Sequence, residues 1–183
     1  MVGQSRNQTV LTRYLPELVP ALQAIKPKRL VLDGEIVVFT GFGTDFDAMT
    51  NRIHPAASRV KMLSETQPAS YIAFDLLADG DESLLEVPLR ERRRRLESLL
   101  GQRPGSIFLS PATIDRDIAL GWLTEYRGTG LDRLVATRLC DVYPPAKRAM
   151  IQVQEQRPAV CAGAGSARGQ RLRRVRPLTL ALL

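Results

Sequence analysis

Two acidic residues lie two positions apart in an otherwise apolar stretch, which makes them the first candidates for binding chemistry. Asp33 and Glu35 lie between Val31 and Val37. Side chains two positions apart in a strand project from the same face, so one ligand could contact both carboxylates. Carboxylates in apolar surroundings suit ribose hydroxyls, a metal ion or a cationic partner. The alternative is an acid pair that is solvated at the edge of a strand.

A third acid, Asp75, follows an aromatic residue, Phe74, in the apolar stretch 71–77. This pair could bring a ring and a carboxylate to one site. An aromatic residue in a strand more commonly belongs to the core, so that alternative stays open.

Other kinds of catalytic centre find little support in the composition. The two cysteines, Cys140 and Cys161, lie far in sequence from the single histidine, His54. This spacing argues against a disulfide framework and against a Cys/His metal cluster. Any chemistry that needs an amine depends on four lysines: Lys26, Lys28, Lys61 and Lys147.

The spacing of apolar residues predicts the elements that would position these side chains. Strands are predicted over 29–39, 71–77, 107–109, 131–139 and 149–154, and helices over 15–22, 45–53, 88–100 and 115–126. Because strands and helices do not alternate strictly, we predict an α+β fold with antiparallel sheets and flanking helices. On the first strand, the even positions are apolar apart from Gly34, and the odd positions carry the two carboxylates.

The helix predicted over 88–100 has leucines for its buried face and a run of arginines beside them. We expect these arginines to lie largely in solvent, with a contact to DNA as the alternative, because acids lie next to them. The arginines are Arg90, Arg92, Arg93 and Arg94, and the acids are Glu86, Glu91 and Glu97.

The net charge of +7 is unevenly distributed. Residues 158–183 carry five arginines and no acid, which leaves 21 basic and 19 acidic residues in the rest of the chain. Charge alone is therefore weak evidence for a nucleic-acid partner. The first residues lack the pattern of a secretory signal and the apolar runs are too short to cross a membrane, so we expect a cytoplasmic protein.

Five strings occur in an order that resembles the adenylation domain of ATP-dependent DNA ligases, and most of all the small bacterial accessory ligases. Three of them are Leu-Asp-Gly-Glu-Ile-Val-Val-Phe at 32–39, Tyr-Ile-Ala-Phe-Asp-Leu-Leu at 71–77 and Gly-Leu-Asp-Arg-Leu-Val-Ala-Thr-Arg-Leu at 130–139. The others are Ser-Arg-Asn at 5–7 followed by 11–18, and Tyr-Pro-Pro-Ala-Lys-Arg-Ala-Met at 143–150. The resemblance covers about residues 4 to 157.

The resemblance implies a fold, a reaction and its partners. The fold would be an incomplete form of the nucleotidyltransferase fold shared by DNA ligases and mRNA capping enzymes, which is ATP-grasp-like. In the family a lysine attacks the α-phosphate of ATP, and the AMP then passes to the 5′-phosphate of a DNA nick. The resemblance therefore implies ATP and Mg²⁺ as cofactors and nicked or broken duplex DNA as partner, for a monomer that needs no membrane.

Individual residues receive roles from the same resemblance. Glu35 would hold the ribose and Phe74 would stack on adenine. Arg6 would contact the nucleotide or nicked DNA. Asp132 would assist the metal together with Glu35.

The sequence also departs from the family pattern at the positions that react. None of the four lysines lies in a Lys-x-Asp-Gly motif, so no catalytic nucleophile can be assigned. Gln152 and Gln154 stand where the family has two lysines that neutralise the α-phosphate, and Thr137 stands where a lysine is usual. A neutral amide can donate a hydrogen bond but supplies no charge at a phosphoryl centre.

Two segments and several functions follow as hypotheses. We expect residues 1–157 to be a partial ligase adenylation domain, and 158–183 to be a tail that is disordered or the product of a frameshift in a gene also truncated at its start. The chain would then be a DNA ligase that is inactive as it stands. The alternatives are a non-catalytic remnant that binds adenine nucleotide or a protein, and an RNA ligase or capping-type guanylyltransferase, which the strings at 71–77 and 130–139 disfavour.

Overall fold

A computed structural model gives the fold. It describes residues 2–5, 8–27, 29–41, 43–54, 56–101, 105–131, 133–143, 151–154 and 178–182, the last two stretches as backbone alone. The helices are α1 (Leu18–Gln23), α2 (Phe46–Asn51), α3 (Ala57–Thr66), α4 (Leu89–Leu100) and α5 (Arg116–Glu125), with a short 3-10 turn at Thr12–Tyr14. The strands are β1 (Leu30–Thr40), β2 (Gly43–Thr44), β3 (Ala69–Asp79), β4 (Glu82–Ser83), β5 (Ile107–Leu109), β6 (Ala112–Thr113), β7 (Arg133–Arg138), β8 (Ile151–Gln154) and β9 (Leu178–Leu182).

The first sheet has the order β2-β1-β3-β4, and β5 also pairs with β3. All of its pairs are antiparallel except β3 and β5, which run parallel. Parallel neighbours need a crossover, and α4 supplies it between these two strands. The predicted α+β fold with flanking helices is confirmed, with the refinement that this sheet is mixed.

The second sheet has the order β6-β9-β7-β8 and is antiparallel throughout. Strand β9 lies within the segment expected to be a tail, and its backbone pairs with β6 on one side and β7 on the other. The predicted boundary near residue 157 lies outside the described residues and stays a prediction. Among the residues that are described, no helix is both long and apolar enough to cross a membrane.

The even face of β1 forms the core, as its pattern predicts. Ile36 and Val38 belong with a cluster around Leu18, and Leu30 and Leu32 pack on a second cluster. The buried members of that second cluster are Ile25, Ala73, Leu76, Leu84, Leu96 and Leu100. Helix α4 therefore packs on β3 through its leucines.

The prediction that the arginines of α4 lie in solvent is wrong for two of them. Arg92 is 2% exposed and forms a salt bridge with the buried Asp75. Its position, three residues after Leu89 and four before Leu96, places it on the inward stripe of the helix. Arg93 also lies against the fold, where it donates to the backbone oxygen of Ser110 at 2.7 Å. The prediction rested on the acids next to these arginines, and neighbouring acids do not determine on which face of the helix each arginine lies.

Arg90 and Arg94 are exposed, as predicted. The expected neighbouring acids pair with arginines along the helix: Glu91 with Arg94 and Arg95, and Glu97 with Arg93. These ion pairs give Arg93, Arg94 and Arg95 partners within the chain, and a contact to DNA stays an alternative.

Helix α3 was not predicted, and a buried arginine joins it to the helices before it. Arg52 is 0% exposed and pairs with Glu17, which precedes α1. Its Nη1 donates to the carbonyl oxygens of Leu63 and Gln67, each at 2.8 Å, at the C-terminal end of α3. The carbonyl oxygen of Gln67, the residue that ends α3, gains a partner in this way, and a cation at this end of a helix is favourable.

The glycine that interrupts the apolar face of β1 has a steric cause. A Cβ atom at Gly34 would lie 2.5 Å from the backbone oxygen of Ile72 and 2.5 Å from Cζ of Tyr71. The Tyr71 ring thus takes the space that a side chain at position 34 would need. Any larger residue would force β1 and β3 apart next to the two carboxylates.

Replacing Gly34 with alanine should destabilise the fold by about 2 kcal/mol, because the new methyl group overlaps backbone that cannot move freely. Thermal denaturation followed by circular dichroism would measure the change. Gly121→Ala is the matched control, since a Cβ atom at this position of α5 would meet nothing within 4 Å and alanine favours a helix. A G34A protein as stable as the wild type would contradict the close packing of Tyr71.

Candidate functional site

The pairing of β1 with β3 contains an irregularity at the predicted site. Asp33 lies opposite Asp75, and the next residue, Gly34, lies opposite Ala73. Phe74 is therefore an extra residue of β3 without a partner on β1, which is the pattern of a β-bulge. Bulges are common next to binding sites because they change the direction of a side chain.

Glu35 and Phe74 come to the same strand pair. Glu35 lies opposite Ile72, so Phe74 follows the partner of Glu35 by two residues. Glu35 is exposed and Phe74 is partly buried. The register therefore places an exposed carboxylate and a partly accessible ring within two residues of each other across β1 and β3.

The face of the sheet that carries Glu35 also exposes apolar side chains. Phe39 is 43% exposed and Phe108 is 42% exposed. Their rings meet edge to face, with centroids 5.8 Å apart. Val31, at the other end of the same face of β1, is 51% exposed. An exposed apolar surface around a few polar groups is typical of a binding site.

A network of four side chains lies next to Phe74 and connects both strands to α4. Arg92 Nε donates to Asp75 Oδ1 at 2.9 Å, and its Nη2 donates to Oδ2 at 2.8 Å, which is a bidentate ion pair. The hydroxyl of Tyr143 donates to Asp33 Oδ2 at 3.0 Å. The guanidinium carbon of Arg92 lies 5.8 Å from the centroid of the Tyr143 ring. Asp33, Tyr143, Arg92 and Asp75 thus form a continuous chain of contacts.

This network determines the protonation state of Tyr143. Burial and the neighbouring Asp33 carboxylate raise the pKa of Tyr143 from 10.0 to about 12. Asp33 accepts the hydrogen bond that the neutral phenol donates, and a tyrosinate would place two negative charges side by side. The phenol therefore stays neutral over the physiological range.

Two backbone junctions hold the second sheet against the first. The amides at the start of α4 donate to the segment after β7: Leu89 N to Asp141 O at 2.9 Å, and Arg90 N to Leu139 O at 3.0 Å. Tyr143 N in turn donates to Leu85 O at 2.8 Å. These bonds satisfy helix amides that have no partner within the helix and fix the segment that carries Tyr143.

The other junction lies at the start of the string 130–139. Thr44 N of β2 donates to Thr129 O at 2.6 Å. Gly130 has a φ of +81°, and a Cβ there would overlap the Thr44 hydroxyl. A glycine at 130 is therefore required both by the backbone and by the contact.

Not all of the predicted site residues can be located. Arg6 and Asp132 lie outside the described residues, so their roles stay predictions. Gln152 and Gln154 of β8 lie opposite Val135 and Arg133. Thr137, partly buried in β7, lies opposite Thr179 of β9. Within the described ranges there is no group of three His, Cys, Asp or Glu residues that could hold a metal ion.

Sequence reasoning missed Arg92 and Tyr143. The helical position of Arg92 was the available signal, because it lies in phase with the buried leucines. Tyr143 gave no such signal, since its partner Asp33 is 110 residues away along the chain.

The comparison with known proteins assigns a family to this arrangement. The model of the ATP-dependent DNA ligase domain matches residues 2–153, which is most of the chain. The chain belongs to the ATP-dependent DNA ligase family. The matched region contains β1, β3, α4 and the whole network around Asp75.

This ligase-family chain is similar to several characterised proteins. It is 46% identical over 165 residues to DNA ligase C of Mycobacterium tuberculosis, covering 88% of this chain and 46% of that protein. The ligase domain of M. tuberculosis LigD has a similar fold, with a TM-score of 0.62 and 28% identity over 82% of this chain and 46% of that one. A mycobacterial DNA ligase D complexed with ATP and MES is similar too, with a TM-score of 0.60 and 28% identity over the same shares.

The likeness confirms the nucleotidyltransferase fold expected from the strings at 32–39, 71–77 and 130–139. The chain spans about half the length of these relatives.

The raised pKa of Tyr143 makes the stability of the fold depend on pH. Its pKa in the folded chain exceeds that in the unfolded chain, so the neutral phenol contributes its full stability below pH 10, and this is lost as the pH rises through about 12. Ultraviolet difference absorbance of wild type minus Tyr143→Phe should show a tyrosine that ionises near pH 12. Ionisation near pH 10 in the folded protein would contradict the hydrogen bond to Asp33.

Proposed function

We propose that this chain binds the adenosine part of ATP on the face of the first sheet that carries Glu35 and Phe74. The observation that carries the proposal is the bulge in β3, which leaves Phe74 without a strand partner beside an exposed carboxylate. A carboxylate accepts hydrogen bonds from two ribose hydroxyls, and a phenyl ring offers an apolar surface to a base. The ATP in the similar ligase D structure supports this choice of ligand.

The described residues fit the nucleoside better than they fit the phosphates. Glu35 offers one carboxylate for a magnesium ion, and we propose Asp132 as the second. Gln152 and Gln154 offer amides in place of cations, and we propose Arg6 as a positive contact for the nucleotide. When bound, the metal would offset the negative charge of the phosphate groups.

We propose that the chain as given does not transfer AMP. Its four lysines all lie outside a Lys-x-Asp-Gly motif, and the amine is the group that would form the covalent bond. Binding and covalent capture are therefore separate properties here, and the site would retain only the first of them.

The wider setting follows from the family as a proposal. We propose a place in the repair or recombination of DNA, with nicked or broken duplex DNA as partner, for a protein that acts as a monomer. The cytoplasm is the proposed compartment, since bacterial relatives of this chain are DNA ligases and bacterial DNA lies there.

A second function is favoured by a different observation. The rings of Phe39 and Phe108 contact each other and are both more than 40% exposed, and Val31 is exposed at the other end of the same face of β1. A chain that does not transfer AMP could use this surface as a protein-binding module. A protein bound to this face would exclude ATP. Competition between that protein and ATP for the chain would therefore distinguish the two functions.

Purified protein should bind fluorescent or radiolabelled ATP with Mg²⁺, and Phe74→Ala should weaken that binding about tenfold or more, because stacking on a base contributes about 1–3 kcal/mol. Equilibrium dialysis measures the dissociation constants. Phe46→Ala is the control, since Phe46 is 82% exposed on α2 and also loses a phenyl ring. Equal losses in both variants, or no ATP binding by the wild type, would contradict the proposed site.

The same labelled ATP tests the proposal that the chain as given does not transfer AMP. After incubation with Mg²⁺ and denaturing electrophoresis, no label should stay attached to the chain, because no lysine lies in the required motif. A band of covalently labelled protein that disappears with Lys26, Lys28, Lys61 or Lys147 replaced by alanine would show that one of these amines reacts after all.

A further inference from the structure

We propose that Arg92 is a positioning residue of the nucleotide site, which fixes Phe74 through Asp75 and Glu35 through Tyr143 and Asp33. It touches neither proposed ligand-binding residue itself. The role rests on the nucleotide binding proposed above. It adds the residue that fixes Glu35 on β1 and Phe74 on β3 relative to each other.

All three nitrogens of the Arg92 guanidinium donate hydrogen bonds. Two of its nitrogens bind both oxygens of Asp75, at 2.9 and 2.8 Å. The third, Nη1, donates to the backbone oxygens of Val87 and Asp141. These partners belong to β3, to the turn before α4 and to the segment after β7. One buried cation therefore joins three separate parts of the chain.

Asp75 connects Arg92 to Phe74. Asp75 is the residue directly after Phe74, and its Oδ1 also accepts from Leu76 N at 2.9 Å. A bulge interrupts the ladder of hydrogen bonds, so its backbone depends on other contacts for a single conformation. The carboxylate of Asp75, held in place by Arg92, provides such a contact at the bulge itself.

Tyr143 and Asp33 connect Arg92 to Glu35. The ring of Tyr143 lies against the guanidinium, and its hydroxyl donates to Asp33. Asp33 is two residues before Glu35 on the same face of β1. The same side chain thus supports the strand with the ribose-binding carboxylate and the strand with the adenine-binding ring.

Stability alone would not require this arrangement. Desolvation of two charges offsets much of their attraction, and apolar residues of similar volume often serve as well. The ion pair fixes the orientation of the Asp75 carboxylate, because a planar guanidinium can donate two parallel hydrogen bonds to a carboxylate only over a narrow range of orientations. A lysine at this position would keep the charge and lose the fork.

The dissociation constant of ATP with Mg²⁺, measured on the full chain, tests the role. Arg92→Lys should weaken binding about tenfold, and Tyr143→Phe, which removes only one hydroxyl, about threefold. Arg93→Lys is the matched control, because Arg93 is the next residue of the same helix and bonds to Glu97 and Ser110 instead. Its dissociation constant should stay within about twofold of the wild type. AMP should lose as much affinity as ATP, since the positioned residues face the nucleoside.

A merely structural role would lower the melting temperature and leave the affinity of the folded protein unchanged. Binding is therefore measured well below the melting temperature of each variant. If Arg92→Lys does not fold, Tyr143→Phe decides alone. Unchanged affinity in Tyr143→Phe and in any folded Arg92→Lys, together with a loss in Phe74→Ala, would overturn the positioning role and leave the proposed function standing. If the wild type binds no ATP, both fall.

Discussion

The buried ion pair between Arg92 and Asp75 is the contact on which the arrangement of the molecule depends. Arg92 is 2% exposed and Asp75 6%, so neither charge can be left without the other. Removal of one partner from such a pair commonly costs about 3–5 kcal/mol, because the other stays buried and unpaired. The pair fixes α4 on β3, and the start of α4 in turn binds the segment after β7. The pair thus adds a buried charged contact to the backbone bonds of Leu89, Arg90 and Thr44 that join the two sheets.

The same contact explains why a binding site can lie on an irregular part of β3. Regular pairing would give Phe74 a partner on β1, and its direction would then follow from the alternation of the strand. The bulge removes that partner, and Asp75 supplies an anchor one residue further on. On the opposite side of β1, the ring of Tyr71 fills the space next to Gly34. The strand pair is thus packed tightly on its core face, while on the other face Glu35 is exposed and Phe74 is partly accessible.

Local patterns predicted the elements with strong periodicity. The alternation in β1 and the leucines of α4 located both elements to within about two residues, and the strings at 32–39 and 71–77 led to the right family. Helix α3 was missed because its ten residues bury only Val60 and Leu63, and such a short apolar stripe gives a weak signal. The solvent position of Arg92 was wrong because its charge was given more weight than its place on the helix.

The details of the site could not be predicted, because they depend on contacts between distant parts of the chain. The bulge at Phe74 exists only in the register of β3 against β1, and nothing within 71–77 specifies it. The contact of Tyr143 with Asp33 depends on the packing of the second sheet. A crystal structure of the chain with ATP and Mg²⁺ tests the account most directly. The account predicts adenine against Phe74 and the ribose hydroxyls on Glu35, with Arg92 still paired to Asp75; a nucleotide bound elsewhere, or a regular β3 without the bulge, would contradict it.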